Sequence, residues 1–328
     1  MTRLVVTNDP SVAGGLVKAD RADLAVSFEQ RLVWGPLPSE GDLTASFASR
    51  TGQKQGDHWL DFVPAKRLEK FGFANMGLVE VCSRCESVEL WFEPNPNAQL
   101  MLLWILDALC VHGKAMPNIV LRHVDLDIGA LDEKALAKLD VGAVTVARDH
   151  LEIAALAWQA YRAPSPQDWF NLLKRDTSAL PQLGPCVSEL LEELPSTVTG
   201  LGATEMRILE LVSAGYVHPF AILPHGKSRL RRSVYGYWEL GYLLDGLALA
   251  PLPAVAGLAE GPFTLELHNL RDRHERYSKS RLSLTSLGKA LLARRDDFSR
   301  HNPIDRWWGG THLTNDNLWR WNPALMKS

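Results

Sequence analysis

Short apolar segments alternate with helical patterns along the first 150 residues, and this alternation restricts the folds that are open to the chain. Helices are predicted between the segments by apolar residues at helical spacing, as in Ala98–Leu109. A chain with this pattern builds a largely parallel sheet that is covered by helices. We therefore predict an α/β, Rossmann-like domain over residues 1–150. Its predicted strands are Arg3–Thr7, Asp23–Phe28, Val88–Phe92 and Asn118–Leu126.

Polar residues follow the predicted strands at the edge where parallel sheets bind ligands and helix N-termini point. Asn8, Asp9 and Ser11 follow the first strand, and Glu93 and Gln99 follow the third. The same residue types are ordinary in turns and helix caps, and Ser11 is a candidate N-cap, so both interpretations stay open. The sequence has no Gly-x-Gly-x-x-Gly or phosphate-loop lysine motif, so it indicates no nucleotide cofactor and leaves any other cofactor unknown.

Cys82 and Cys85 form a single Cys-x-x-Cys in the segment CSRC. With Cys110 and His112 they could supply four zinc ligands. Cys110, however, ends an apolar helical segment, where a buried free thiol is common. We therefore predict no metal site, and four cysteines in 328 residues fit a reducing compartment.

No uninterrupted apolar segment reaches the length of a membrane span. The nearest, LMLLWILDALCV, is broken by Asp107, and the opening MTRLVVTNDPS lacks the apolar core of a signal peptide. We therefore expect a cytoplasmic protein that does not enter a membrane. Its oligomeric state stays open.

From about Leu151 the pattern becomes helical, and we assign residues 151–328 to a second, mostly helical domain. The order helix, short helix, helix, strand, turn, strand predicts a winged-helix-like part at about residues 200–295. Thr204 is the predicted N-cap of its first helix. Phe263–His268 and Arg281–Ser286 are the predicted strands of the ribbon.

Basic residues cluster around this winged-helix-like part. Residues 201–328 carry a net charge of +5 and the first 200 residues carry −8, so the two parts differ in sign. Such clusters neutralise phosphates, which makes nucleic acid a possible partner. The predicted recognition helix presents Tyr237, Trp238 and Tyr242 instead of side chains that read base edges, so a solvated basic face is the alternative. The candidate contacts are Arg229, Arg231, Arg232, Arg273, Arg276 and Lys279.

Several segments resemble the bacterial domain-of-unknown-function family eighteen-thirty-five. They are ALAWQAYRAPSP, LLKRDTSALPQL, LEELPSTVTGLGATEMRILELV and IDRWWGGTHL…WRWN. Members of that family have Asn-Gly-Asp-Ser after the first strand and Trp-Phe-Glu-His-Asp…Gln after a later one. The matching segments here are TNDPSVAGG and LWFEPNPNAQ, in which Pro10, Pro94 and Asn95 replace polar family residues. The family has no established activity, so the resemblance assigns no role; the replacements favour binding over catalysis.

The C-terminal segment IDRWWGGTHLT combines two tryptophans, two glycines, an arginine and a histidine. Tryptophans bury large areas, and glycines allow a close backbone approach. One interpretation is a structural strap in which Trp307 and Trp308 are mostly buried. The other is an element that closes a cleft, with Arg306 and His312 contacting an anionic ligand.

Three hypotheses for the function follow. The first is a two-domain protein that binds a small anionic ligand and has a sensing or regulatory role. The second is a hydrolase or transferase that uses Glu93 with Asp9, Asp176 or His312 as acid–base groups. The third is a DNA-binding regulator that acts through the basic wing. The ligand-binding residues in the first hypothesis are Asn8, Asp9, Ser11, Glu93, Gln99, Asp176, Arg306 and His312.

Overall fold

The computed structural model describes residues 2–50, 58–111, 119–126, 128–222 and 234–322. The chain divides into two compact units. The first unit ends at Cys186, so it includes helical segments that were predicted to lie in the second domain. The first unit comprises Met1–Leu32, Leu37–Ala163 and Gln167–Cys186, and the second comprises Val33–Pro36, Pro164–Pro166 and Val187–Ser328.

A five-stranded sheet forms the centre of the first unit. Its strands are β1 (Arg3–Thr7), β2 (Leu24–Ser27), β3 (Ser87–Trp91), β4 (Ile119–Arg122) and β5 (Ala143–Thr145). Their order across the sheet is β2-β1-β3-β4-β5. The first four strands are parallel, and β5 pairs antiparallel with β4. The α/β class with a largely parallel sheet is therefore confirmed, whereas β5 was not predicted.

Helices cover both faces of this sheet. Successive residues of a strand point to opposite sides, so neighbouring apolar residues of one strand pack against different helices. Val5 of β1 packs in one cluster with Leu16 and Leu136. Its neighbour Val6 adjoins Leu78 and Ile105 on the other face. The helices are α1 (Pro10–Lys18), α2 (Glu40–Phe47), α3 (Ala65–Phe71), α4 (Leu78–Arg84), α5 (Pro96–Val111), α6 (Glu133–Lys138), α7 (Arg148–Arg162), α8 (Gln167–Asn171) and α9 (Leu183–Glu192), which passes into the second unit.

Helix α1 begins directly after β1, at Pro10. The carboxylate of Asp9 accepts hydrogen bonds from the amides of Ser11 (2.7 Å) and Val12 (3.0 Å), so Asp9 is the N-cap. The prediction that Ser11 caps this helix was wrong. Proline suits the first helical position because it lacks an amide hydrogen, and this places the cap on the residue before it.

The second unit is built mainly of helices and contains two short ribbons. The helices are α10 (Ala203–Ser213), α11 (Pro219–Ile222), α12 (Tyr237–Ala248), α13 (Leu265–Asn269), α14 (Arg271–Ser278) and α15 (Ser286–Leu292). The strands are β6 (Val255–Ala256), β7 (Ser283–Leu284), β8 (Asp305–Trp308) and β9 (Thr311–Thr314). None of the helices in the described parts of the chain is both long and apolar enough to cross a membrane.

The predicted ribbon of the winged-helix-like part was wrong in its first strand. Most of Phe263–His268 lies in α13, and the strand that pairs with β7 is β6. Phe263 and Leu267 are fully buried, whereas Leu265 between them is 62% exposed. A buried pair four residues apart matches the period of a helix, and Thr264 caps that helix by accepting from the Leu267 amide. The segment between the two predicted strands, which was expected to be the wing loop and holds Arg273 and Arg276, is likewise helical, in α14.

The C-terminal segment forms a hairpin in which β8 pairs antiparallel with β9. Gly309 starts its two-residue turn with φ +53°, a conformation that glycine adopts without steric cost. Trp308 is 4% exposed, and its indole nitrogen donates to the carbonyl of Leu190 at 2.7 Å. Trp307 is 37% exposed and stacks on His312. The predicted burial is thus confirmed for Trp308 and was wrong for Trp307, because adjacent strand residues face opposite sides.

We predict that Trp308→Ala lowers the free energy of unfolding by about 3–5 kcal/mol, because it leaves a cavity and removes the hydrogen bond to the Leu190 carbonyl. Trp307→Ala removes a side chain of the same size from the exposed side of the hairpin and should cost less than about 1 kcal/mol. Denaturant unfolding of both variants measures the difference. Equal losses would contradict the assignment of Trp308 as the anchor.

Candidate functional site

Three of the predicted ligand-binding residues meet at the carboxyl edge of the sheet. The amide nitrogen of the Asn8 side chain donates to the Glu93 carboxylate at 3.1 Å, and the Glu93 backbone amide donates to Asn8 Oδ1 at 3.2 Å. Gln99 donates to the Glu93 carbonyl at 2.7 Å. Asn8, Glu93 and Gln99 therefore converge, since the strands that precede them are parallel neighbours. Ser11, which was predicted with them, is exposed and bonds among the described residues through its backbone amide to Asp9.

The carboxylate of Glu93 joins three loops of the first unit. Asn8 lies after β1, Asn95 lies after β3, and Gly129 lies in the short helix after β4. Asn95 donates to Oε2 at 3.1 Å, and the Gly129 amide donates to Oε1 at 3.2 Å. Both carboxylate oxygens thus accept hydrogen bonds from the protein itself. This arrangement suits a residue that holds loops in place better than one that exchanges protons with a substrate.

We predict that Glu93→Ala lowers the free energy of unfolding by about 1–3 kcal/mol, because it leaves part-buried donors unpaired. Ser11→Ala is the control: the Ser11 side chain is exposed, and its one hydrogen bond to the described residues runs from its backbone amide to Asp9. Denaturant unfolding compares the two variants. An unfolding free energy unchanged in Glu93→Ala would argue against the loop-holding role.

A cleft of about 450 Å³ opens elsewhere in the first unit, and we call it the histidine cleft. It is built by the residue directly after β4, by β5, by the first turn of α7 and by the loop that precedes α9. Of the predicted site residues, the cleft includes only Asp176. Its lining residues are His123, Val144, Asp149, His150, Ile153, Asp176, Ser178 and Ala179.

His150 is the most buried polar side chain of the histidine cleft, at 6% exposure. Its Nδ1 accepts a hydrogen bond from the backbone amide of Ala147 at 3.2 Å and lies 2.8 Å from a carboxylate oxygen of Asp149. These contacts fix the imidazole to the N-terminal turn of α7, where His150 is the third residue of a capping box. Nε2 makes no hydrogen bond to the described residues.

Two carboxylates of the histidine cleft are held in their charged form. The backbone amide of His150 donates to Asp149, and this bond lowers the pKa of the Asp149 carboxyl below its ordinary value. The backbone amide of Ser178 donates to Asp176 at 2.9 Å and lowers the pKa of the Asp176 carboxyl in the same way. The lining includes no lysine or arginine. The cleft therefore carries negative charge near neutral pH.

Sequence reasoning missed most of this cleft for a local reason. His123 lies inside the segment predicted as a strand, but β4 ends at Arg122, so His123 stands at its carboxyl end. The short strand β5 has an intermediate residue between two exposed ones and no strong apolar pattern. The one available signal was Asp149 with His150 at the start of a helix.

Arg306 and His312, which were predicted to contact an anion, have partners within the second unit. Arg306 donates to the Glu205 carboxylate at 2.9 Å and to the Glu193 carbonyl at 3.4 Å. His312 bonds to Asp305 at 2.7 Å and stacks on Trp307 with 4.6 Å between ring centroids. Arg306 therefore fastens the C-terminal hairpin to the start of α10.

The N-cap of α10 is Gly202, so the prediction of Thr204 was wrong. A Cβ at Gly202 would lie 2.7 Å from the Glu193 carbonyl oxygen, so only glycine fits there. The Glu205 carboxylate accepts from the Gly202 amide at 2.8 Å. Thr204 donates its hydroxyl and its amide to the carboxylate of Glu193.

Glu193 and Glu205 are two buried carboxyls that face one guanidinium, that of Arg306. Burial raises the pKa of Glu193 to about 7, and the nearby Glu205 charge adds to the rise. The ordinary value is 4.5. Between these values the folded protein holds a proton that the unfolded chain has released. Stability from this group is therefore greatest at low pH and is lost as the pH rises towards 7.

We predict that Glu193→Gln reduces this pH dependence, because glutamine remains uncharged. From about pH 5 to pH 8, the unfolding free energy of the wild type should fall by on the order of 1–3 kcal/mol more than that of the variant. Denaturant unfolding at the two pH values measures both. Parallel pH profiles would show that Glu193 does not titrate in this range.

The described candidates for nucleic-acid contact are paired with acidic residues. Arg273 and Arg276 both donate to Glu260, at 3.0 and 2.7 Å in their shorter contacts. Lys279 pairs with Glu275 one turn earlier in α14. Arg229, Arg231 and Arg232 lie outside the described residues. These ion pairs reduce the charge that the helical segment presents to a phosphate.

Cys82 and Cys85 are buried, which raises the pKa of both thiols, that of Cys85 to about 11. Such thiols are poor nucleophiles at neutral pH. His112, the suggested fourth zinc ligand, lies outside the described residues. Among the described residues, no group of three or more His, Cys, Asp or Glu side chains could hold a metal ion.

Comparisons with known proteins leave the family open. No protein-family model matches the chain, and no curated protein matches it. The resemblance to family eighteen-thirty-five therefore stays a prediction from the residues that carry it.

Proposed function

We propose that the protein binds a small polar molecule in the histidine cleft of its first unit. The observation that carries this proposal is the cleft itself, an opening of about 450 Å³ lined by the imidazoles of His123 and His150 and the carboxylates of Asp149 and Asp176. A concave site with a few convergent polar groups beside apolar side chains is typical of small-molecule binding.

The size and position of the histidine cleft support this proposal. Small-molecule sites usually enclose about 300–1,000 Å³, and the volume of the cleft lies within that range. His123 stands at the carboxyl end of a parallel strand, where ligands of α/β sheets bind.

The two alternative functions have less support from the contacts of their residues. An enzyme that used Glu93 as an acid or base would have to release hydrogen bonds that Glu93 accepts from Asn8, Asn95 and Gly129. A DNA-binding wing would have to use cations that already pair with Glu260 and Glu275. A sensing or regulatory role of the second unit stays a prediction.

We predict that members of a small-fragment library shift the amide NMR resonances of His123, Ile153 and Ser178 in the full-length protein. Ser178→Trp should abolish these shifts without lowering stability, because Ser178 is exposed and a tryptophan there would fill the cleft. His312→Ala is the control and should leave them unchanged. The proposal is wrong if no fragment shifts these resonances, or if Ser178→Trp leaves binding intact.

A further inference from the structure

We infer that the C-terminal hairpin, formed by β8 and β9, is a strap controlled by one proton. It lies closed on the corner between α9 and α10, residues 190–205, while the buried acidic pair Glu193 and Glu205 holds that proton, and it opens locally when the proton is lost. All of these residues belong to the second unit. The strap is therefore separate from the histidine cleft, whose lining residues belong to the first unit.

Two side chains of β8 fasten the hairpin to this corner. Trp308 is buried, and its indole nitrogen donates to the carbonyl of Leu190 at 2.7 Å. Arg306 donates to the Glu205 carboxylate at 2.9 Å and to the Glu193 carbonyl at 3.4 Å. The first attachment is uncharged, whereas the second depends on the charge of the carboxyls that Arg306 faces.

The acidic pair carries more charge than the cation that faces it. Glu193 is 6% exposed and Glu205 is 8% exposed, and both face the guanidinium of Arg306. If both carboxyls were charged, the cluster would bury two negative charges against one positive charge. A buried charge without compensation is costly, so the closed hairpin favours one protonated carboxyl.

Glu193 is the carboxyl that holds the proton. Burial raises its pKa from 4.5 to about 7, and the nearby Glu205 charge adds to the rise. The hydroxyl and amide of Thr204 donate to Glu193, and these bonds and the charge of Arg306 limit the rise. Glu205 accepts hydrogen bonds from Arg306 and from the Gly202 amide, and an ionised acceptor makes such bonds strong.

The other titratable groups near the hairpin do not lie between it and the corner in the same way. Tyr235 faces Arg306. His312 pairs with Asp305 at 2.7 Å on the exposed side of the hairpin, where it also stacks on Trp307. Because adjacent strand residues face opposite sides, opening of the hairpin changes the surroundings of His312 less than those of Glu193.

Uncharged contacts fix the chain on both sides of the hairpin. Before it, Asn302 exchanges two hydrogen bonds with the backbone of Leu252. After it, the Trp321 amide donates to the Pro195 carbonyl at 2.9 Å, and the Thr197 amide donates to the Trp321 carbonyl at 3.0 Å. These bonds involve no titratable group, so the hairpin can open while the chain on either side of it remains attached.

Opening of the hairpin brings Glu193 into contact with water, where its pKa returns towards the ordinary value of 4.5. Between the two pKa values, the closed hairpin holds a proton that the open hairpin releases. The closed state is therefore favoured most at low pH, and it loses this advantage as the pH rises through the higher value. Since one pKa unit is a tenfold change in an equilibrium constant, the open population should rise by about tenfold or more from about pH 5.5 to about pH 8.

Amide hydrogen exchange of the full-length protein measures this opening when it is followed by NMR and corrected for the intrinsic rate at each pH. The amides of β8 and β9 are compared with those of the buried residues Leu243 and Leu244 in α12, which report global unfolding. We expect the hairpin amides to be less protected than those of α12, with protection that falls by about tenfold between the two pH values. Low denaturant concentrations should speed exchange in α12 and leave that of the hairpin nearly unchanged, because local opening exposes little surface.

Two variants remove the proton and two serve as controls. Glu193→Gln should abolish the fall in hairpin protection, because glutamine has nearly the same shape and stays uncharged. Glu205→Gln leaves one carboxylate to face Arg306 and should also reduce the fall. Glu210→Gln neutralises an exposed carboxylate of α10, and His312→Gln removes the histidine of the hairpin; both should retain the wild-type fall.

A wild-type hairpin with the same protection at both pH values would overturn the inference without any variant. An equal fall in Glu193→Gln would also overturn it, and so would loss of the fall in His312→Gln, which would assign the proton to the histidine. If the hairpin and α12 amides show equal protection and respond alike to denaturant, the hairpin opens only with the whole protein and is not a strap. If Glu193→Gln does not fold, the wild-type profile and Glu205→Gln decide.

Discussion

Parallel pairing of β1 with β3 is the constraint on which the first unit depends. The two strands run in register, with Thr7 opposite Trp91, so the residues after them leave the sheet side by side. Asn8 and Glu93 can then exchange hydrogen bonds although 85 residues separate them in the chain. Val5 and Val6 are buried on opposite faces of the sheet, so the backbone of β1 lies between two layers of helices. An unpaired amide or carbonyl group there would be costly, and this favours pairing of β1 with its neighbouring strands.

Carboxylates that accept several hydrogen bonds recur as organisers in both units. Glu93 holds three loops, Glu205 receives Arg306 from the C-terminal hairpin, and Glu260 receives Arg273 and Arg276. In each case a charged acceptor connects its own segment to donors of another element, and such bonds are stronger than those between neutral groups. The same property makes these carboxylates weak evidence for catalysis, since their acceptor positions are already used within the protein.

The histidine cleft differs from these clusters because its polar side chains line an open space of about 450 Å³. His150 is buried at the start of α7, where its Nδ1 accepts from the Ala147 amide and lies close to Asp149. The elements around the cleft are the end of β4, strand β5 and the loop at Asp176. They come together because β5 returns antiparallel beside β4 and leads directly into α7. Asp149 and Asp176 then lie on one cleft although 27 residues separate them in the chain.

The sequence by itself determined the strands β1 to β4, the helices α1 and α5, and the convergence of Asn8, Glu93 and Gln99. Apolar periodicity marks these elements locally, and residues that follow parallel strands meet at one edge of the sheet. Only the tertiary structure decided the rest. Alternation of apolar residues in Phe263–His268 predicted a strand, which would put Phe263, Leu265 and Leu267 on one face; the exposure of Leu265 between two buried neighbours selects the helix. Trp307 and Trp308 are the same residue type, and pairing of β8 with β9 determines which one faces the interior. Strand β5 and the histidine cleft depend on contacts between distant segments, which no local pattern records.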